Sequence, residues 1–334
     1  VTLRAGAVLE PATSRQITVA LGVGGLGGGA IAAIGTDRFF DGSSGFIAVM
    51  ALLMFVRALL AIARGVMAGR RRFRAYGVSM MLESVALVAL GILFAAMDTG
   101  AFWFGIALGT APLTVLIVRP YLVRTDPNRS PVEVPETTGL LQLLVLASAL
   151  SQLILAAGPL VVSLIGGTAA EVSIYFITFT LLRGPITASY GLATRFLAAM
   201  ATALSDEKPE ILHIWASRLA ALGTASVVIA GASSYFILPA VIEVLYGTEF
   251  RPTALVGGLG GAGAVAALTV LFVTQILIAR GRTRELAIGW LIAATISGVV
   301  LAASGADPLL RVAYAFAAGE VAAFGVISAI ALRR

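Results

Sequence analysis

The chain has no cysteine and a single histidine, His213. Without thiols it forms no disulfide and no thiolate metal centre, and one imidazole supplies no paired-histidine site. Catalysis built on cysteine or on paired histidines is therefore excluded. Lysine is almost missing as well: among 23 basic residues only Lys208 is a lysine. Charge of either sign is scarce, at 12% of the chain, against 59% hydrophobic residues and a mean hydropathy of +0.99. A soluble globular domain of 334 residues does not have that balance. The composition is that of an all-α, polytopic membrane protein.

Apolar runs of about 20 residues, the length that crosses a bilayer, fall near 16–34, 45–63, 75–97, 101–118, 139–165, 171–203, 212–238, 253–279, 285–304 and 308–332. The expectation is ten transmembrane helices. Basic residues gather in alternate loops: Arg4 and Arg15; Arg64, Arg70, Arg71, Arg72 and Arg74; Arg119, Arg124 and Arg129; Lys208; Arg280, Arg282 and Arg284; Arg333 and Arg334. The opposite loops carry only Arg38, Arg251 and Arg311. By the positive-inside rule the first set is cytoplasmic and so are both termini, in a multi-pass protein of the cell membrane. The net charge of +6 is thus a topology signal rather than a nucleic-acid surface. The first sixteen residues, Val1 to Gln16, have the pattern of neither a signal peptide nor a hydrophobic anchor.

The stretch 171–200, EVSIYFITFTLLRGPITASYGLATRFLAAM, is long enough to span yet carries Arg183 and Arg195. At about 100° per residue, Thr180, Arg183, Thr187, Tyr190 and Thr194 share one stripe, opposite an apolar face. A charge at mid-bilayer costs at least about 2.5–3.5 kcal/mol, so Arg183 is expected to face a wet cavity or a partner. The bland alternative is that both arginines snorkel or pair with a carboxylate. Gly184-Pro185 interrupts the backbone ladder beside Arg183, which is tolerated mainly where freed carbonyls line a cavity.

Arg57 lies seven residues before Arg64, on the same helix face and about 10 Å deeper. Glu83 falls at similar depth on the next, antiparallel helix, which makes an Arg57–Glu83 pair as plausible as a substrate role for Arg57; the two are compatible if the pair opens during transport. Gln142, Ser148, Ser151 and Gln152 make the fifth run polar ahead of Gly158-Pro159, a hinge candidate or an ordinary membrane-helix proline. Glu320 lies mid-span in the last run, as a coupling site for a proton or sodium or as a partner for an arginine. Gly22–Gly27 matches the GxGxxG pattern but lacks the surrounding βαβ unit, so close helix packing through Gly24 and Gly28 explains it better. Gly257–Gly263 reads the same way.

The longest connection, 119–138, separates an N-terminal lobe at 1–118 from a C-terminal lobe at 139–334 as a cytoplasmic linker rich in proline and mixed charge. Ile62-Ala63-Arg64-Gly65 recurs as Ile278-Ala279-Arg280-Gly281, each at a helix end before a basic turn. Shifting 139–165 and 171–203 back by the Arg64-to-Arg280 spacing places their counterparts before residue 1. The repeat therefore predicts two further helices N-terminal to Val1.

Several stretches resemble the polysaccharide and lipid-linked oligosaccharide flippases of the multidrug/oligosaccharidyl-lipid/polysaccharide exporter (MOP) superfamily: ARGVMAGRRRFRAYG at 63–77, SQLILAAGPLVVSLIGG at 151–167, LLRGPITASYGL at 181–192, and VLYGTEFRPTALVGGLG at 244–260 followed by QILIARGRTRELAIGWL. The resemblance implies two helical lobes around a central cavity and a helix that bends at Gly158-Pro159 during alternating access. A twelve-helix relative lacking its first two helices would match the repeat. The function it implies is outward flipping of a polyprenyl-pyrophosphate-linked oligosaccharide, with Arg57, Arg183, Arg195, Thr187 and Tyr190 toward the substrate. Expected partners are the lipid-linked saccharide, membrane lipid, and a polysaccharide polymerase or glycosyltransferases, with no nucleic acid and no cofactor. No ATP-binding motif is present, so energy would come from an ion gradient, the membrane potential or consumption of product. The alternatives are a cation-coupled drug antiporter of the same superfamily, a peptidoglycan-precursor flippase, and a non-transporting partner of polysaccharide assembly. A membrane glycan polymerase or acyltransferase would need a large outer loop or an intramembrane histidine, and neither is expected here.

Overall fold

Glycine and small residues decide which helices touch. In a computed structural model of the chain, residues 22, 25–30, 32–36, 42–69, 72–117, 137–205 and 209–333 are described. The helices are α1 (Gly45–Gly69), α2 (Phe73–Ala96), α3 (Ala101–Thr110, continued by a 3-10 turn at Ala111–Ile117), α4 (Thr137–Ala156), α5 (Gly158–Leu164), α6 (Ala169–Ser205), α7 (Pro209–Tyr246), α8 (Ala254–Ala279), α9 (Thr283–Ala303) and α10 (Pro308–Leu332). There is no strand among the described residues. The chain divides into two compact units, Val1–Pro135 and Glu136–Arg334.

In the first unit α1 packs on α3 and α2 on the 3-10 turn. Gly105 and Gly109, four apart on α3, let it approach α1 at Val49 and Leu52: a Cβ at 105 would come within 2.9 Å of Val49. Gly28, expected from the sequence to sit at a close packing contact, lies against Met50 and Met54 of α1. Gly24 falls outside the described residues.

In the second unit α8 is the hub. It packs on α6, α7, α9 and α10, and its glycines are distributed around the helix to match. Gly257, Gly258 and Gly261 face α7, where a Cβ on Gly261 would meet Ser234 Oγ at 2.1 Å. Gly260 faces Leu182 and Phe179 of α6, and Gly263 faces Phe316 of α10. With no hydrophobic driving force between helices in lipid, such small-residue contacts and their dispersion energy hold a bundle together. The packing reading of Gly257–Gly263 made from the sequence is what these contacts amount to.

Helix ends are set by local chemistry. Thr168 and Glu171 form a capping box at the start of α6: Glu171 Oε2 accepts from Thr168 N at 2.7 Å, and Thr168 Oγ1 accepts from Glu171 N at 3.2 Å. Asp307 caps α10, accepting from Leu310 N at 2.9 Å, with Pro308 next to it. Gly281, at φ +72°, ends α8 in the left-handed region.

Arginines cap the other ends of the α9–α10 hairpin. Arg311 donates to the carbonyls of Leu301 and Ala302 at the end of α9. Arg280 donates to Ala331 O at 2.6 Å, and Arg282 to Ile330 O and Arg333 O, at the end of α10. The two copies of the Ile-Ala-Arg-Gly repeat consequently differ. Gly65 lies inside α1, whereas Gly281 terminates α8; Arg64 reaches the next helix, whereas Arg280 reaches α10.

Six of these helices are long and apolar enough to cross a membrane, and α4 with α5 makes a seventh if that bent pair is one span. The count is below the ten apolar runs of the sequence for identifiable reasons. The 171–203 run is a single helix, α6, but its stripe of Thr, Ser, Tyr and Arg lowers its hydropathy. Ala101–Ile117 is shorter than a full span, and much of 16–34 lies outside the described residues. So do residues 119–136 of the expected linker and Arg4, Arg15, Arg38, Arg70, Arg71, Arg119, Arg124, Arg129, Lys208 and Arg334. Exposed apolar residues such as Val85, Val88 and Ile92 on α2, and Leu222, Val228, Ile229 and Phe236 on α7, give the helices lipid-compatible outer faces.

Candidate functional site

On α6 the buried face recurs every seven residues, at Phe179, Ile186, Ala193 and Met200, packed into the core of the second unit. The polar stripe flanks that face: Tyr190 packs against the same core, whereas Thr187 is exposed. Two of its threonines bond back into the helix, Thr187 donating to Arg183 O at 3.1 Å and Thr194 to Tyr190 O at 2.9 Å, as Ser189 beside the stripe does to Pro185 O at 2.8 Å. Arg183 is half-buried, and its guanidinium has no hydrogen-bond or ion-pair partner among the described residues. Arg195 is exposed on the same helix and has partners of its own. Gly184-Pro185 takes one N–H out of the backbone ladder but does not end the helix. α6 runs through Pro185, and Gly184 has open space where a Cβ would go.

Gly158-Pro159 behaves differently. Gln142–Ala156 and Gly158–Leu164 meet at a bend of 64°, with Ala157 as the break. Gly158 lies against Tyr175 of α6, whose ring stacks on Phe179 at 3.9 Å; Phe316 of α10 meets Phe179 edge-on at 4.9 Å. Aromatic packing fills the inside of the bend.

Between α4, α6, α8, α9 and α10 lies a cavity of about 250 Å³. Ser148, Ser151, Gln152, Tyr190, Thr274, Gln275, Trp290 and Glu320 give it polar groups on otherwise apolar walls. Gln152 donates to the Tyr190 hydroxyl at 3.3 Å. Glu320 is 1% exposed, and neither of its carboxylate oxygens has a hydrogen-bond partner among the described residues; the Thr274 hydroxyl is unpartnered too. The cavity thus gathers Tyr190, Glu320 and the polar face of α4 from the sequence-predicted residues. Arg183, Thr187 and Arg195 are not among its lining. Thr274, Gln275 and Trp290 were missed by sequence reasoning, because single polar or aromatic residues inside apolar runs carry no signal until the helices are assembled.

The first unit holds the other charged constellation. Glu83 of α2 accepts from Arg57 Nη1 at 2.6 Å and from Arg64 Nη2 at 2.7 Å, one guanidinium on each oxygen. Arg64 Nε also donates to Ser79 Oγ at 3.2 Å, and its guanidinium lies 5.9 Å from the centre of the Tyr76 ring. The structure brings Arg57 and Glu83 together at the depth that counting helical turns assigns them. That Arg64 joins them was not anticipated, although its seven-residue spacing from Arg57 was the available signal. Among the described residues there is no cluster of three metal-ligating acids or histidines.

No family model matches the chain, and no curated protein matches it. Among solved structures, the fold is similar to an outward-facing multidrug resistance MATE family transporter of the MOP superfamily, with a TM-score of 0.63 at 17% identity. The match covers 99% of this chain and 79% of that one. At such identity the likeness is one of fold: an all-helical chain of apolar spans that resembles a MOP transporter.

Proposed function

We propose that the chain is a membrane transporter that moves an anionic, polyprenyl-pyrophosphate-linked saccharide from the cytoplasmic to the outer leaflet of the cell membrane by alternating access. The observation that carries this reading is Arg183. A half-buried guanidinium without a hydrogen-bond or ion-pair partner among the described residues, on the polar stripe of a bilayer-length helix, needs an anion or water. Guanidinium stays charged at every physiological pH and grips phosphate oxygens in pairs. Arg195 would add further positive charge on the same helix, and Thr187 and Tyr190 would offer hydrogen bonds to sugar; Arg57, in the first unit, is a separate candidate for the phosphate. A potential negative inside would favour outward transfer by about 2.3 kcal/mol per charge per 100 mV. The bent α4–α5 pair supplies a place for the motion to occur.

One observation favours a second reading. Glu320, buried and unpartnered beside the cavity of the second unit, is suited to cation coupling, and the structural neighbour is a multidrug resistance transporter. A cation-coupled antiporter is that alternative.

The test is complementation. In a strain lacking this gene, the chain should restore surface polysaccharide and clear lipid-linked intermediate from the cytoplasmic leaflet, and Arg183→Ala should abolish both while inserting normally. Full activity of Arg183→Ala would sink the reading. Drug efflux without polysaccharide rescue would favour the antiporter.

A further inference from the structure

Arg57 is the middle residue of α1, a helix of 25 residues. Glu83 is the only acid on α1 or α2, and it faces two guanidinium groups. The cluster therefore keeps one uncompensated positive charge halfway along an apolar span. The three members are not equivalent. Arg64 is fixed by Glu83, Ser79 and Tyr76 and is 16% exposed. The Ser79 hydroxyl donates to Tyr76 O at 2.7 Å, which orients its oxygen for Arg64. Arg57 touches Glu83 through Nη1 alone and is 45% exposed.

A guanidinium has five N–H donors in a planar fork. Arg57 commits one of them, so its open edge still presents donors. A charge of that kind is not left bare in an apolar setting; it meets water or an anion. Arg64 and Glu83 supply the rigid base that holds Arg57 in place.

We propose that Arg57, backed by Arg64 and Glu83, is a docking point for a phosphoryl group, and that Glu83 is the stand-in anion which the incoming phosphate partly displaces. That the phosphate is carried on a lipid-linked saccharide rests on the proposed function; the docking point itself does not. The exchange is one anion for another at Arg57, while Arg64 keeps its hold on Glu83. The site therefore loads and unloads without leaving a carboxylate bare.

The experiment uses the full chain in lipid nanodiscs and measures equilibrium binding of two radiolabelled probes, inorganic pyrophosphate and farnesyl diphosphate. Arg57→Ala should weaken binding about tenfold or more, the loss expected for a charge-assisted paired contact, with its melting temperature unchanged because the Arg64–Glu83 pair remains. Glu83→Gln removes the competing anion and should tighten binding several-fold. Arg251→Ala, which breaks an exposed pair with Glu243, should bind as the wild type does. Binding of both probes, or of farnesyl diphosphate alone, supports the docking point and a lipid-borne phosphate. Pyrophosphate alone supports the docking point but assigns it to a free phosphate. The proposal is overturned if the wild type shows no saturable binding, if Arg57→Ala binds like the wild type, or if Glu83→Gln binds no tighter. A chain that binds in this pattern yet flips nothing in complementation would leave the docking point standing and remove the flippase reading.

Discussion

Gly158 and Tyr175 occupy the same space: a Cβ on residue 158 would lie 2.1 Å from Tyr175 Cε1. The bend between α4 and α5 depends on that contact, because the ring fills the angle that the absent side chain leaves. Tyr175 cannot retreat, being buried and stacked on Phe179. Gly158→Ala should destabilise the protein by about 1–3 kcal/mol through overpacking. Adding Tyr175→Leu should recover much of the loss, and thermal unfolding of the two single variants and the double variant in detergent measures the coupling. Additive effects would show that the bend does not rest on this pair.

Gly261 has the corresponding role between α8 and α7: a methyl group there would sit 2.1 Å from Ser234 Oγ and 2.9 Å from the Ala230 carbonyl oxygen. Gly261→Val should lower the melting temperature sharply, whereas Gly298→Ala, where a Cβ meets nothing within 4 Å, should not. Introducing alanine at Gly298 should even be mildly stabilising, by up to about 1 kcal/mol, through better helix propensity.

The arginine caps of the α9–α10 hairpin make an energetic prediction. Arg311→Met frees the Leu301 and Ala302 carbonyls, and Arg280→Met frees that of Ala331. Each should cost about 1–2 kcal/mol. The caps sit at opposite ends of a hairpin roughly 30 Å long, so the losses should add in the double variant. A transport defect larger than the loss of folded protein would instead give these arginines a part in transport.

Glu320→Gln keeps the side chain's shape and removes its charge. It should insert and unfold within about 1 kcal/mol of the wild type. On the cation-coupled reading, transport into vesicles should lose its response to an imposed cation or proton gradient. A gradient response equal to that of the wild type would exclude Glu320 from coupling.

How much of this was legible in the sequence varies with the range of the interaction. The helices at 45–69, 73–96, 254–279, 283–303 and 308–332 announce themselves, because an apolar run of bilayer length has one stable backbone solution in lipid. Arg57 and Glu83 were placed on facing sides of adjacent helices by counting turns, since a short connection forces α1 and α2 to be neighbours; that Arg64 shares Glu83 emerged only from the packing. Gly158-Pro159, a pair that cannot complete the backbone ladder, marked where the 64° bend falls, though not that a bend would form.

Tertiary structure decided the rest. The sequence drew attention to α6 for its charges, but α8 is the hub, because its glycines point toward three different helices and only the assembled bundle reveals which. Pro185 resembles Pro159 in sequence, with glycine before it, yet α6 runs on while α4 and α5 part. Gly158 has Tyr175 pressed against it and Gly184 has nothing. Arg280 and Arg311 look like loop charges and prove to be caps on carbonyls of other helices. The sequence by itself determined which segments are helical and where charge must be buried; only the packing of those helices determined which charges find partners, and among the described residues it left Arg183 and Glu320 without one.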